Sequence, residues 1–164
     1  MKQMPILLVV FLLVSDCWSA EPVGVLASTD IEEAKSGDFQ FDGVWKPKGA
    51  MLQGVLLPPP ALDAITLRIE GDTYEVTVEG EEHSDKGVFL LDETVMPKRM
   101  VIKSTSGPNK GKIILAIYEV KSDIAMRVCY DLTGKAFPTD FKAPKNSDLY
   151  VAGYRRQQAD NSAE

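Results

Sequence analysis

Few residues of this chain have both the type and the spacing that a reaction or a metal site requires. The only histidine, His83, lies in the polar run Gly80-Glu81-Glu82-His83-Ser84-Asp85, where carboxylates adjoin it. Such a cluster could suggest a metal site or a proton relay. Zinc sites need several ligands at fixed spacing, however, and the nearest cysteine lies far along the chain. The pattern therefore favours a solvated turn.

Cys129 is the candidate nucleophile. A nucleophilic thiol needs an adjacent base, and the chain offers only one histidine, distant in sequence. Cys129 lies between Val128 and Tyr130 in a strand-like run, which favours a small buried hydrophobe. We therefore expect Cys129 to be buried and unreactive in the native protein.

Two further patterns resemble reactive sites but have simpler interpretations. An acid and base pair could come from the carboxylates between positions 70 and 79, but they occupy the polar face of an alternating segment, where charge serves solubility. These are Glu70, Asp72, Glu75 and Glu79. The run Gly107-Pro108-Asn109-Lys110-Gly111 lacks the ending and the strand-to-helix context of a phosphate-binding loop, so it indicates a hairpin turn. We therefore assign no catalytic residue, metal ligand or cofactor, and expect a protein that is not an enzyme.

The elements that would position any site are short alternating strands. In the clearest example, apolar residues alternate with polar ones on both sides of Gly71-Asp72, which is typical of a hairpin with a two-residue turn. We expect one face of this hairpin to be buried, with Leu67, Ile69, Tyr74, Val76 and Val78 on it.

Similar runs continue through the chain at spacings near ten residues. Strands are predicted at 41–52, 65–70, 73–79, 87–91, 99–104, 112–120, 124–130 and 149–155, one helical turn at 58–64, and a short extended segment at 139–142. Pro47 in the first strand predicts an edge or a bulge. The pattern predicts an all-β fold of about eight antiparallel strands. A sandwich is the alternative, but short sequential hairpins favour an up-and-down barrel.

Length and charge limit the functional classes. A chain of 164 residues with 45% hydrophobic content suffices for one core, which we place at 41–156. Its net charge of −6 argues against nucleic acid and anionic membrane surfaces, since both attract basic patches.

The N-terminus predicts export. A basic start precedes an apolar run at 6–14 that is too short to span a bilayer, which indicates a signal peptide at 1–20 with an uncleaved anchor as the alternative. Lipidation of Cys17 is disfavoured by the preceding Asp16. We expect a periplasmic or extracellular protein with no membrane span after signal removal, an acidic spacer at 21–40 and a disordered tail at 157–164.

Several short motifs are similar to the lipocalin-like domain of unknown function that is typical of planctomycete bacteria. They are Gly43-Val44-Trp45-Lys46-Pro47, Gly71-Asp72-Thr73-Tyr74, Asp85-Lys86-Gly87, Gly107-Pro108-Asn109-Lys110-Gly111-Lys112, Ala116-Ile117-Tyr118-Glu119, Arg127-Val128-Cys129-Tyr130-Asp131-Leu132 and Pro138-Thr139-Asp140-Phe141. The chain departs from the family pattern at Phe137 and in the turn at 122–124. The resemblance implies a small exported barrel of lipocalin-like shape without an established activity.

This fold predicts either a carrier or a docking module. An eight-stranded barrel can hold one small apolar ligand, and we predict the lining as Tyr74, Phe89, Met100, Tyr118, Met126 and Tyr130. The alternative is a filled barrel that acts as a structural or interaction module and binds another envelope protein. Gly43 and Trp45 resemble the lipocalin Gly-x-Trp motif, which implies that Trp45 plugs one end beneath Arg155 or Arg156 of the last strand.

Overall fold

The structure, a computed structural model, describes residues 40–158 of the chain. The strands in this range are β1 (Gly43–Leu52), β2 (Val55–Leu56), β3 (Ile65–Glu70), β4 (Thr73–Val78), β5 (Asp85–Asp92), β6 (Lys98–Ser106), β7 (Ile113–Ser122), β8 (Ala125–Asp131) and β9 (Leu149–Arg156), and the helix is α1 (Pro59–Ala64). The predicted signal peptide at 1–20, residues 21–39 of the predicted spacer and residues 159–164 of the predicted tail lie outside the described residues.

Eight antiparallel strands close into a barrel in up-and-down order. From β3 to β9 each strand pairs with the next one along the chain, and β1 pairs with both β3 and β9. The two-residue strand β2 adds to the far end of β1. Closure gives every long strand two neighbours and so removes free sheet edges. The predicted barrel is confirmed, and the alternative of a sandwich is wrong.

A bulge in β1 allows this strand to serve both neighbours. Its first residues pair with β3, and from Trp45 onwards it pairs with β9, with a register shift between Pro47 and Gly49. Proline cannot donate to a regular ladder, so a bulge accommodates it. Helix α1 fills the space that opens between β1 and β3 beyond this point and buries Leu62.

No helix within residues 40–158 is long and apolar enough to cross a bilayer.

The hairpin of β3 and β4 has the predicted register. Glu70 pairs with Thr73 across a two-residue turn, and Gly71 has φ of 58°, a left-handed conformation that suits glycine. The pairs Ile65↔Val78, Leu67↔Val76 and Ile69↔Tyr74 place all six side chains on the inner face. The alternating pattern thus gave the correct face. Tyr74 and Val76 are half-buried rather than buried, because they face the cavity described below.

Aromatic side chains close one end of the barrel. Trp45 is fully buried, its indole Nε1–H donates to the Phe41 carbonyl at 2.8 Å, and Arg156 stacks on its ring at 4.7 Å. The Phe41 ring packs edge-on against Tyr118, with centroids 5.5 Å apart. We call Phe41, Trp45, Tyr118 and Arg156 the plug. Arg156 is the direct strand partner of Trp45, whereas Arg155 points outward and is exposed.

Gly43 belongs to the same end of the barrel. Its φ is 131°, and a Cβ atom there would lie 3.6 Å from the aliphatic part of the Arg156 side chain. The guanidinium of Arg156 also donates to the Gln40 carbonyl. The backbone conformation, with φ of 131°, rather than a lack of space is what favours glycine at this position.

The connection between β8 and β9, residues 132–148, covers part of the outer surface. Arg99 and Arg127 stack on the rings of Phe137 and Phe141, at 4.6 and 4.3 Å. This cover explains why β7 is apolar on both faces. The extended segment predicted at 139–142 is wrong, because these residues form no strand and pack through side chains onto a barrel that has no free edge there.

Candidate functional site

The barrel interior contains a cavity of about 180 Å³ next to the plug. It is lined by inward-facing residues of all eight barrel strands and of the adjoining segments, and most of the lining is apolar. The aliphatic lining consists of Leu52, Leu57, Ile65, Leu67, Ile69, Val76, Val78, Ile102, Ile114, Val128 and Leu132, and the other lining residues are Tyr74, Phe89, Met100, Met126, Tyr130, Tyr150, Tyr154, Asp85 and Asn109. The site is therefore an apolar chamber with a few polar groups in its wall.

One wall carries a buried carboxyl group, that of Asp85. Its Oδ2 accepts a hydrogen bond from the Tyr74 hydroxyl at 2.8 Å, and its Oδ1 accepts from Ser104 Oγ at 2.9 Å and from the Asn109 backbone N–H at 3.1 Å. Asp85 is only 6% exposed. All three of these partners donate, and the Asp85 oxygens accept. These charge-assisted hydrogen bonds offset part of the loss of hydration.

A glycine positions the phenol that meets this carboxylate. Tyr74 on β4 is directly opposite Gly87 on β5, and a Cβ atom at Gly87 would lie 2.7 Å from the Tyr74 ring. Because Gly87 has no side chain, the ring can lie across β5. The hydroxyl then reaches Asp85, two residues earlier on the same strand.

A second polar region consists of three tyrosines on β8 and β9. The rings of Tyr130 and Tyr150 stack with centroids 5.7 Å apart, and the Tyr130 hydroxyl donates to that of Tyr154 at 3.3 Å. Burial is the main cause that raises the pKa of all three phenols. Burial, followed by the hydrogen bond to Asp85, likewise raises the pKa of Tyr74. The phenols therefore stay protonated at neutral pH, and among residues 40–158 Asp85 is the only carboxyl group that lines the cavity.

Five of the residues predicted as lining, Tyr74, Phe89, Met100, Met126 and Tyr130, lie in the cavity wall. Tyr118 does not. It faces inward on β7 but lies at the plug, where its hydroxyl donates to Glu93 Oε1 at 2.9 Å. Burial and this carboxylate raise its pKa.

Sequence reasoning missed four polar residues of the wall, Asp85, Asn109, Tyr150 and Tyr154. Tyr150 and Tyr154 lie on the same face of the predicted last strand, since successive side chains of a strand point to opposite faces. This shared face was a signal that could have placed both side chains inside the barrel. Asp85 was assigned to a polar turn after the first hairpin. No sequence signal separates it from its exposed acidic neighbours, because its burial depends on pairing with distant strands.

The remaining candidates lie outside the cavity wall. Cys129 is fully buried, as predicted, on the outer face of β8, where its Sγ contacts the Lys142 carbonyl at 3.7 Å. Burial, then the nearby Asp140, raises the pKa of its thiol to about 11. His83 is exposed in the connection between β4 and β5. Within residues 40–158 no three or more His, Cys, Asp or Glu side chains are grouped to hold a metal ion.

The acidic residues at 70–79 lie on the outer surface of the β3–β4 hairpin. Glu75 pairs with Lys86 at 3.0 Å, and the other three carboxylates, Glu70, Asp72 and Glu79, are exposed. The run at 107–111 forms the turn between β6 and β7, in which the Gly111 N–H donates to the Ser104 carbonyl. The hairpin interpretation of this run is confirmed.

A scan against protein-family models, a search of curated proteins and a search of solved structures each find no match to this chain. The resemblance to the planctomycete lipocalin-like domain therefore stays a prediction that rests on the sequence motifs.

Proposed function

We propose that this chain is an exported, non-enzymatic β-barrel module that binds one small, mainly apolar molecule inside the barrel. The observation that carries the proposal is the cavity of about 180 Å³ beside the plug. Within residues 40–158 its lining is mostly aliphatic and aromatic, with polar groups around Asp85 and at the tyrosines of β8 and β9. Ligand sites in proteins commonly combine an apolar wall with a few placed polar groups, and barrels of eight strands can hold one small ligand.

The size of the cavity limits the class of ligand. An apolar cavity of about 150 Å³ takes up benzene or xenon. A cavity of about 180 Å³ therefore suits one aromatic ring with a short substituent, or a short branched aliphatic molecule.

A docking module is the second candidate function. It is favoured by the β2 strand, where Val55 and Leu56 are 67% and 69% exposed beside the end of β1. Exposed apolar side chains of this size are common at contacts between proteins. In this case another envelope protein would be the partner, and the cavity would have no occupant.

Matched cavity variants separate the two functions. Val76 lines the cavity, and its neighbour Thr77 is exposed on the outer face of the same strand. We expect calorimetric titration with toluene to show saturable binding to the wild type and to Thr77→Phe, and no binding to Val76→Phe. Circular dichroism checks that both variants fold. Absence of binding to the wild type, or equal binding to both variants, would contradict the carrier function.

Export is tested independently of binding. The full chain is expressed in a bacterium, the cells are fractionated and the N-terminus of the product is sequenced. The proposal predicts a processed protein outside the cytoplasm that starts near residue 20. An unprocessed chain confined to the cytoplasm would overturn the export part of the proposal and leave the binding part standing.

A further inference from the structure

The structure points to the chemical class of the ligand: we infer that it carries a protonated amine, which pairs with Asp85 while the apolar part of the molecule fills the cavity. This inference rests on the proposed function and deepens it. Among the residues that the structure describes, the carboxyl group of Asp85 is the one ionisable acid or base, apart from the phenols, in the cavity wall.

Asp85 has no cationic partner in the described part of the chain. None of the ion pairs within residues 40–158 includes it, and its three contacts are neutral donors. A carboxylate removed from water is strongly disfavoured unless it is paired or fully hydrogen-bonded. Each carboxylate oxygen can accept about two hydrogen bonds, and Oδ2 receives only that of Tyr74. Oδ2 can therefore accept a further hydrogen bond, and Asp85 lines the cavity.

The rest of the wall also favours a cation. Tyr74, Tyr130 and Tyr150 contribute aromatic rings, and the faces of such rings attract ammonium groups. Their phenols stay neutral, so they add no repelling charge. An anionic ligand would meet Asp85 at close range, and the net charge of −6 on the chain also acts against it.

The position of Asp85 along its strand sets the orientation of the ligand. Asp85 begins β5, whereas the other end of β5 leads to Glu93, which bonds Tyr118 in the plug. Phe89 lies between these two ends and also lines the cavity. An amine at Asp85 therefore places the apolar part of the ligand deeper in the barrel, towards Phe89 and the plug.

A purely structural role is the competing explanation. Asp85 ties the start of β5 to the turn after β6 through Asn109, and this tie alone would account for its burial. The two explanations differ in the ligand preference that they predict. A structural carboxylate with no further role would give no advantage to an amine over an uncharged molecule of the same shape.

The test compares benzylamine, benzyl alcohol and toluene in calorimetric titrations of the full chain at pH 7 and low salt. We expect benzylamine to bind about tenfold or more tightly than benzyl alcohol, since tenfold corresponds to about 1.4 kcal/mol and one buried ion pair can exceed this. In Asp85→Asn that preference should disappear. Asp72→Asn, which changes an exposed turn carboxylate, should keep the preference.

The outcomes separate this inference from the function on which it rests. If toluene and benzyl alcohol bind and benzylamine binds no better, the inference is wrong and the carrier function stands. If none of the three binds, both fall. The wild-type ranking decides the matter even if Asp85→Asn fails to fold, because benzylamine must outrank benzyl alcohol there.

Discussion

Replacement of Trp45 by alanine tests how the barrel closes. The indole is fully buried, its Nε1–H bonds the Phe41 carbonyl, and the guanidinium of Arg156 lies 4.7 Å from the ring. Truncation of a buried tryptophan costs about 3–5 kcal/mol. Loss of the buried hydrogen bond adds about 1 kcal/mol. We expect Trp45→Ala to lower the free energy of unfolding by about 4–6 kcal/mol, which for a domain of this size lowers the melting temperature by about 16–25 °C.

Two neighbouring arginines provide the matched control. Arg156 stacks on the indole, and Arg155 is exposed. Arg156→Ala removes a cation–π contact and a backbone hydrogen bond, so it should cost about 1–2 kcal/mol. Arg155→Ala should stay within about 0.5 kcal/mol of the wild type. Urea denaturation followed by circular dichroism measures all three variants. Equal losses for the two arginines, or a loss below about 1 kcal/mol for Trp45→Ala, would refute the described plug.

Three further predictions concern a turn, a thiol and a carboxylate. In Gly107→Ala, at φ of 88°, the new Cβ would lie 2.1 Å from a backbone oxygen, whereas in Gly111→Ala, at φ of 85°, the new Cβ would meet no atom within 4 Å. We expect urea denaturation to show that the free energy of unfolding falls by about 3 kcal/mol in Gly107→Ala and by about 1 kcal/mol in Gly111→Ala. Equal decreases would contradict the tight contact at Gly107. Because burial raises the pKa of Cys129 to about 11, a thiol reagent at pH 8 should label the native protein about 100-fold more slowly than the unfolded chain, and rapid native labelling would show that the site is open. Burial alone would raise the pKa of Asp131, but hydrogen bonds from the Thr133 hydroxyl and from backbone amides outweigh it and lower the pKa below the ordinary 3.8. The stabilisation that ionised Asp131 gives the folded protein is present above pH 3.8 and is lost as pH falls through the lower folded pKa. Wild-type stability should therefore fall more steeply than that of Asp131→Asn below about pH 4.

The hairpins of this barrel could be predicted because their signals are local. Alternation on both sides of Gly71 fixes which side chains share a face, and the two-residue turn fixes the register of Glu70 with Thr73. Short connections then make consecutive strands neighbours. The closing pair of β1 and β9 joins the two ends of the domain, and it could be anticipated only through the likeness of Gly43 and Trp45 to a known motif.

The height of a residue along the barrel could not be predicted from alternation. Tyr118 and Met126 both face inward, yet Tyr118 belongs to the plug and only Met126 lines the cavity. The difference depends on strand tilt and on the stagger between distant strands, which a period of two does not encode. The burial of Asp85 was missed for the same reason, since Ser104 and Asn109 reach it from other strands and turns.

Methionine methyl NMR tests directly whether a small molecule binds inside the barrel. Met100 and Met126 line the cavity, and Met96 is 86% exposed in the connection between β5 and β6. With ¹³C-labelled methionine methyl groups and increasing toluene, the account predicts saturable shifts of Met100 and Met126, intermolecular NOEs from both methyls to the ligand, and an unchanged Met96. Shifts that never saturate, or NOEs to Met96 but to neither cavity methionine, would contradict it.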